Sequence, residues 1–171
     1  MGAYARLSKL VTVSRMNIED ILTTAYRTIQ PSVTPFREDL FGVFTVDDDL
    51  VPRLMAEDSD IYRALLSVAS TADSPFGPPM HSPLRHARGI GVIVTGWAAP
   101  LNPMGGVDKM KGRRRTRIAV LATENLATGA LVGFEDEPQQ LVFDDGGAYG
   151  ELIDAILDTM RSILGFRTRN L

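Results

Sequence analysis

The sequence predicts an α+β fold: an antiparallel β-meander sheet of about four to five strands with amphipathic helices packed on one face. Three observations predict it. The stretch from Gly89 to Asp145 holds the densest apolar runs, parted by short turns and one long glycine-rich basic connection. Elsewhere apolar residues recur at three- and four-residue spacing, the pattern of helices with one face to bury. Finally, 171 residues with 44% hydrophobic and 23% charged composition are enough to build one core without a metal or disulfide staple. A single α+β domain over 1–171 is the expectation.

Taken in order, residues 1–15 alternate apolar and basic without a clear period and read as an arm or irregular lead-in. Asn17 then has the character of a helix cap, with Asp20 three residues on and Ile18, Ile21, Leu22, Ala25 and Ile29 on one stripe. This predicts a helix from Ile18 to Ile29, stopped by Pro31. Phe36 to Val46 has the aromatic and β-branched content of a strand, and Asp47, Asp48 and Asp49 end it. Leu50, Val51 and Pro52 lead into a second helix, with Ile61, Leu65, Val68 and Ala69 on one face and Asp58 or Ser59 as its cap. That helix ends near Ala72. The run DSPFGPPMHSP, Asp73 to Pro83, excludes regular structure and marks a crossover spanning 73–88.

Gly89 to Ala99 is almost unbroken apolar sequence with β-branched residues, which predicts a central strand covered on both faces. A mobile connection follows at 101–114. Strands are then predicted from Arg115 or Thr116 to Ala122 or Thr123, near Ala130–Glu135, and at Gln140–Phe143, joined by turns short enough to make them antiparallel neighbours. After the turn Asp144–Gly147, Leu152, Ile153, Ile156, Leu157, Met160, Ile163 and Leu164 form the cleanest helical stripe of the chain. Asp145 can help cap this helix, Gly165 is a natural stop, and Phe166–Leu171 reads as a short basic tail.

Composition narrows the function. The absence of cysteine removes disulfide scaffolds, thiolate zinc sites and cysteine nucleophiles together. No apolar run has the length of a membrane span or signal core, so a cytoplasmic protein without membrane attachment is expected. Arg6 stands where a myristoylation signal would need Ser or Thr. A net charge of −3 gives no overall bias towards nucleic acid, so any basic surface is local.

One such surface stands out. Lys109, Lys111, Arg113, Arg114, Arg115 and Arg117 place six of eighteen basic residues in nine positions, and Trp97 ends the strand before them. The plainer reading is a solvated strand edge kept from pairing by its charge. The functional reading is a contact surface for an acidic partner or for phosphates, with Trp97 as an interface anchor. No aromatic residues alternate with these cations, which argues against stacking on bases.

The remaining candidates are weaker. Asp47, Asp48 and Asp49 lack the glycine and glutamate spacing of a calcium loop and read as a solvated turn. Glu135, Asp136, Glu137, Asp144 and Asp145 are turn acids beside strands. His81 and His86, five apart and without cysteine, make a poor ligand set, and no serine lies in a nucleophile elbow. The glycines of GIGVIVTG fall inside a strand pattern, and no GK[ST] follows Gly105–Gly106. Before the last helix, Asp144 and Asp145 would repel an anion. No metal or cofactor is expected.

At GWAAP (Gly96–Pro100), RRRTRIAVL (Arg113–Leu121) and FDDGGAYGELIDAIL the chain resembles a set of small uncharacterised proteins of actinobacteria and their phages. These share the GWAAP strand end, the RRRxR start of the next strand and an acidic-glycine turn before a last helix. The resemblance spans about Gly89 to Leu164 and implies no activity. The GW is also similar to that of JAB-type metallopeptidases, in which a histidine-rich motif follows, but Ala98, Ala99 and Pro100 occupy that place here.

The first expectation is therefore a non-enzymatic protein that binds another macromolecule, a protein partner or itself as a homodimer, through residues 102–117 and the adjacent strand end. The alternative is a nucleic-acid-associated protein using the same loop with Arg167 and Arg169 on phosphates. A third is a small metal-dependent hydrolase built on Asp47–Asp49 or Asp144–Asp145.

Overall fold

Apolar or small residues occupy both parities of the two longest strands, so neither of their faces can be left in water. In β3 (Gly89–Ala98) Ile90, Val92 and Ile93 are all buried, and in β4 (Arg114–Thr123) Ala119, Val120, Leu121 and Ala122 are as well. The expectation of a doubly covered central strand holds. The computed structural model describes residues 16–29, 41–98, 114–147 and 150–170, giving only the backbone of 97 and 98. Residues 1–15 and most of the 101–114 connection thus lie outside the described residues.

Six strands form one sheet in the order β2-β1-β3-β4-β5-β6, where β1 is Phe41–Val46, β2 Pro52–Asp58, β5 Thr128–Phe134 and β6 Leu141–Asp145. Every neighbouring pair is antiparallel. The α+β class is as the sequence predicts, with more strands than the four to five expected. The additional strand is β2, placed where the sequence reads as a lead into a helix. Its residues, PRLMAED, show no apolar alternation because it is an edge strand with much of both faces in water. Pro52 is tolerated as its first residue, and the β1–β2 register shifts between Val43 and Phe44, an irregularity common at sheet edges.

Helices cover both faces rather than one, which corrects the one-face arrangement. The second and third helices, α2 (Ile61–Asp73) and α3 (Glu151–Arg169), pack together on the face that carries Val43, Ile90, Val92, Val120 and Ala122. The first helix, α1 (Ile18–Thr28), lies on the opposite face with Phe44, Val46, Ile93, Leu121 and Leu131. An eleven-residue helix is marginal in isolation. Its buried stripe of Ile21, Leu22 and Ala25 holds it, since each large apolar side chain removed from water contributes about 1.5–3 kcal/mol. Gly129 and Gly133 of β5 leave room for Ile18 and Tyr26 of this helix. Under the same face, a Cβ on Gly91 would collide with the Phe44 ring and the Val120 carbonyl, so this position of the central strand has space only for hydrogen.

The predicted Asn17 cap is present, its side chain accepting a hydrogen bond from the Asp20 amide at 3.2 Å. The cap of α2 is Asp60 rather than Asp58 or Ser59, accepting from the amides of Tyr62 and Arg63 at 3.1 Å each. Asp58 closes β2 and pairs instead with the Arg63 guanidinium. Neither does Asp145 cap α3: it belongs to β6, and the N-cap is Gly150, without a side-chain hydrogen bond.

Gly165 does not stop the last helix, which runs on to Arg169. Phe166 explains the continuation, because its buried side chain docks the crossover from α2 to β3. Gly77 sits over the Phe166 ring with φ +66°, where a Cβ would overlap the aromatic carbons. Leu84, in the 3-10 turn Pro83–His86, and Ala87 are buried close by. The supposed basic tail is thus the last helical turn, locked to the crossover.

Candidate functional site

The two strands that carry the predicted contact surface stay paired to its root. The β3–β4 ladder runs without interruption from Gly89↔Thr123 to Ala98↔Arg114, two rungs past the last β4–β5 pair, Thr116↔Phe134. Both ends of the 99–113 connection are therefore held on a common ladder. Lys109, Lys111 and Arg113 lie outside the described residues, and Trp97 is placed through its backbone alone, opposite Arg115.

Strand parity divides the remaining three arginines. Arg114 donates Nε and Nη2 to Asp136 at 2.8–3.1 Å, approaches Glu137 at 3.3 Å, and lies 3.9 Å from the Phe134 ring centroid. The Arg114 hydrogen bond holds the Asp136 carboxyl below the ordinary range. Arg115 faces Glu135 at 3.7 Å. The Arg117 side chain is not on the surface with the other two, which corrects its place in the exposed basic cluster. It is only 3% exposed, beneath α1, where Nη2 donates to the Ile29 carbonyl and the guanidinium lies 5.1 Å from the Tyr26 ring centroid. Burial lowers its pKa from the ordinary arginine value, opposed in part by Tyr26. Burial likewise raises the Tyr26 hydroxyl, against the pull of the Arg117 charge.

The acidic turns have structural work. The Asp47 carboxylate accepts from the amides of Asp49 and Val51 and from Arg53 Nε at 2.9–3.0 Å, closing the β1–β2 turn. Burial tends to raise this carboxyl, and the bonds from Val51 and Arg53 outweigh it, so its pKa is lowered. Asp144 accepts from the Gly147 amide at 3.3 Å. Among the described residues no group of three or more His, Cys, Asp or Glu side chains is placed to hold a metal ion. Nor is any described helix long and apolar enough to cross a membrane.

The opposite end of β3 holds an arrangement that sequence reading missed. Glu124, in the β4–β5 turn, accepts from Arg88 Nε and Nη2 at 3.0 and 2.8 Å and from Arg167 Nη1 at 3.1 Å. Its amide in turn donates to the Arg88 carbonyl, and Arg167 also donates to the Ala87 carbonyl. Burial works to raise the Glu124 carboxyl, but the two guanidinium groups outweigh it and hold it below the ordinary range. Beside this triad opens a cleft of about 480 Å³ lined by Met80, Arg85, His86, Phe166, Arg167 and Asn170. Arg167 and Arg169, which donates to the Ala72 carbonyl, are therefore fixed to the crossover. They stand at the Gly89 end of β3, whose ten residues span roughly 30 Å to Ala98 at about 3.3 Å per residue. The pairings of residues 36 and 43 positions apart left no local signal in the sequence.

Comparison of the chain with protein-family models, with curated proteins and with solved structures finds no match.

Proposed function

We propose that this chain acts by binding another protein, through residues 102–117 and the strand ends that hold them. The observation that carries the reading is the continuous β3–β4 ladder ending at Ala98↔Arg114 under a connection rich in cations. A segment anchored at both ends loses less conformational freedom on binding than one tethered at one end, which favours its use as a recognition element. The character of the ladder's end favours a protein partner. Arg114 and Arg115 stand against Glu135, Asp136 and Glu137, so cations and carboxylates lie side by side. A protein surface can complement both signs, whereas three carboxylates at the root oppose a polyphosphate backbone.

The test is light scattering after size exclusion, at low and high salt with absorbance at 260 and 280 nm, combined with lysine-directed cross-linking in extract. The expected result is a nucleic-acid-free particle and one defined protein cross-linked through Lys109 or Lys111, a second copy of the chain included, lost when Arg113, Arg114 and Arg115 are replaced by Ala. Salt-labile nucleic acid lost in the same variant would transfer the surface to phosphates. A monomer with neither cross-link nor nucleic acid would overturn the proposal.

A further inference from the structure

The cleft at the far end of β3 has features that packing alone does not require. Two arginines line it, and each is held rigidly by only part of its hydrogen-bonding capacity. Arg85 donates Nε to the carbonyls of Pro78 and Pro79 at 3.0 and 3.2 Å, and its guanidinium lies 5.2 Å from the Phe166 ring centroid. Arg167 engages Nη1 with Ala87 and Glu124. The two terminal nitrogens of Arg85, and Nε and Nη2 of Arg167, have no partner among the described residues. Guanidinium groups fixed at one nitrogen and open at others are preorganised for carboxylate or phosphate oxygens.

Local charge supports an anion. Arg85, Arg88, Arg167 and Arg169 outnumber Glu124 and Asp73 here, and the C-terminal end of α3 adds about half a negative charge. Its Phe166 carbonyl is already satisfied by the backbone and side-chain amides of Asn170, at 3.2 and 2.9 Å. The excess of about one to two positive charges stands on a chain whose net charge is −3. Besides the cations, the lining includes Met80, 75% exposed, which suits an apolar body next to the charged group, while Phe166, only 4% exposed, serves to seat Arg85. The volume falls in the range of small-molecule sites, about 300–1,000 Å³.

We infer that this cleft binds a small molecule joining a carboxylate or phosphate to a compact apolar group, with Arg85 and Arg167 gripping the oxyanion and Met80 covering the apolar part. The site lies at the Gly89 end of β3, opposite the Ala98 end that leads into residues 102–117, and does not depend on what that segment binds.

Calorimetric titration of the full chain with phenyl phosphate and with benzoate, at fixed ionic strength and with phenol as the neutral control, tests this directly. Saturable one-to-one binding of at least one anion is expected, and the stronger of the two identifies the oxyanion class. Arg85→Gln should weaken it about tenfold or more, as loss of a charge-assisted hydrogen bond does, while Arg114→Ala leaves it unchanged. Because Arg167 also holds Glu124, Met80→Ala serves as the second variant, expected to weaken the aromatic anions and not inorganic phosphate. Absence of saturable binding by both anions, equal binding of phenol, or undiminished binding in an Arg85→Gln protein of wild-type melting temperature would each overturn the inference.

Discussion

Replacing Glu124 by Gln keeps the shape of the side chain and removes its charge, so it isolates what the carboxylate does between Arg88 and Arg167. The side chains of Arg88, Glu124 and Arg167 are 14, 22 and 34% exposed, placing the triad between a buried and a surface ion pair. Breaking a fully buried pair costs about 3–5 kcal/mol, and an exposed one about 0–1. With water reaching part of each group, and the glutamine oxygen still able to accept the two Arg88 bonds that Oε1 accepts while the Arg167 bond and the charge are lost, a loss of about 2 kcal/mol is expected at pH 7. For a chain of this length that lowers Tm by roughly 4–8 °C. The pH dependence separates charge from packing. The folded-state pKa of Glu124 is depressed, so its stabilisation is full above the unfolded value of about 4.3 and fades as pH falls through the lower folded value. Urea unfolding of both proteins at pH 7, 5, 4 and 3 should therefore show a gap that is largest at neutral pH and narrows below about pH 4.3. A gap under about 0.5 kcal/mol at pH 7, or one of constant size across the series, would refute an electrostatic role for the triad.

Further outcomes follow from the two-faced core and from the arginine inside it. Leu22→Ala and Met160→Ala, on opposite faces of the sheet and each 0% exposed, should each cost about 2–4 kcal/mol and add in the double variant; a near-neutral Leu22→Ala in urea unfolding would show that α1 is not part of the core. Gly91→Ala should cost about 1–3 kcal/mol through collision with Phe44 and the Val120 carbonyl, with part of the loss recovered by Phe44→Leu in the same assay. Arg117→Met should stay within about 1 kcal/mol of the parent, since an apolar chain of similar length replaces a buried cation without a carboxylate partner among its described contacts. Cross-linking by the Arg117→Met protein should match the parent, whereas loss of the partner would return Arg117 to the contact surface.

What was legible in the sequence was what repeats locally. The β-branched run of β3 announces a strand covered on both sides, and double coverage requires helices on both faces. The α3 stripe was legible for the same reason, but its end was not. Gly165 has the composition of a stop, and the tertiary contact of Phe166 with Gly77 and Arg85 carries the helix through it. β2 escaped because edge strands need no apolar face, and Asp60 displaced Asp58 as a cap because β2 continues that far. In the basic cluster the count is visible in the sequence, and the alternation of strand faces divides it. Positions 115 and 117 project to the α1 side, where Arg117 is covered by that helix and Arg115 reaches the turn at Glu135. Arg88, Glu124 and Arg167 come from three separate elements, and no spacing rule anticipates such a meeting.

The ends of the molecule that carry the two proposed sites are joined by the β3–β4 ladder. Every residue of β3 is paired with β4 across ten rungs, and both faces of that hairpin are packed by helices. A close-packed, doubly covered ladder transmits little displacement unless one of its elements has two alternative arrangements. The Glu124 triad instead ties its end of the ladder to α3 and the crossover through three hydrogen bonds. Binding at the 102–117 surface and in the Arg85–Arg167 cleft is therefore expected to be energetically independent, substitutions at one end adding to those at the other within about 0.5 kcal/mol. If phenyl phosphate changed cross-linking at Lys109 or Lys111 at saturating concentration, the ladder would have to be a two-state element, and the Glu124 triad, the junction between the cleft and the sheet, is where that second arrangement would begin.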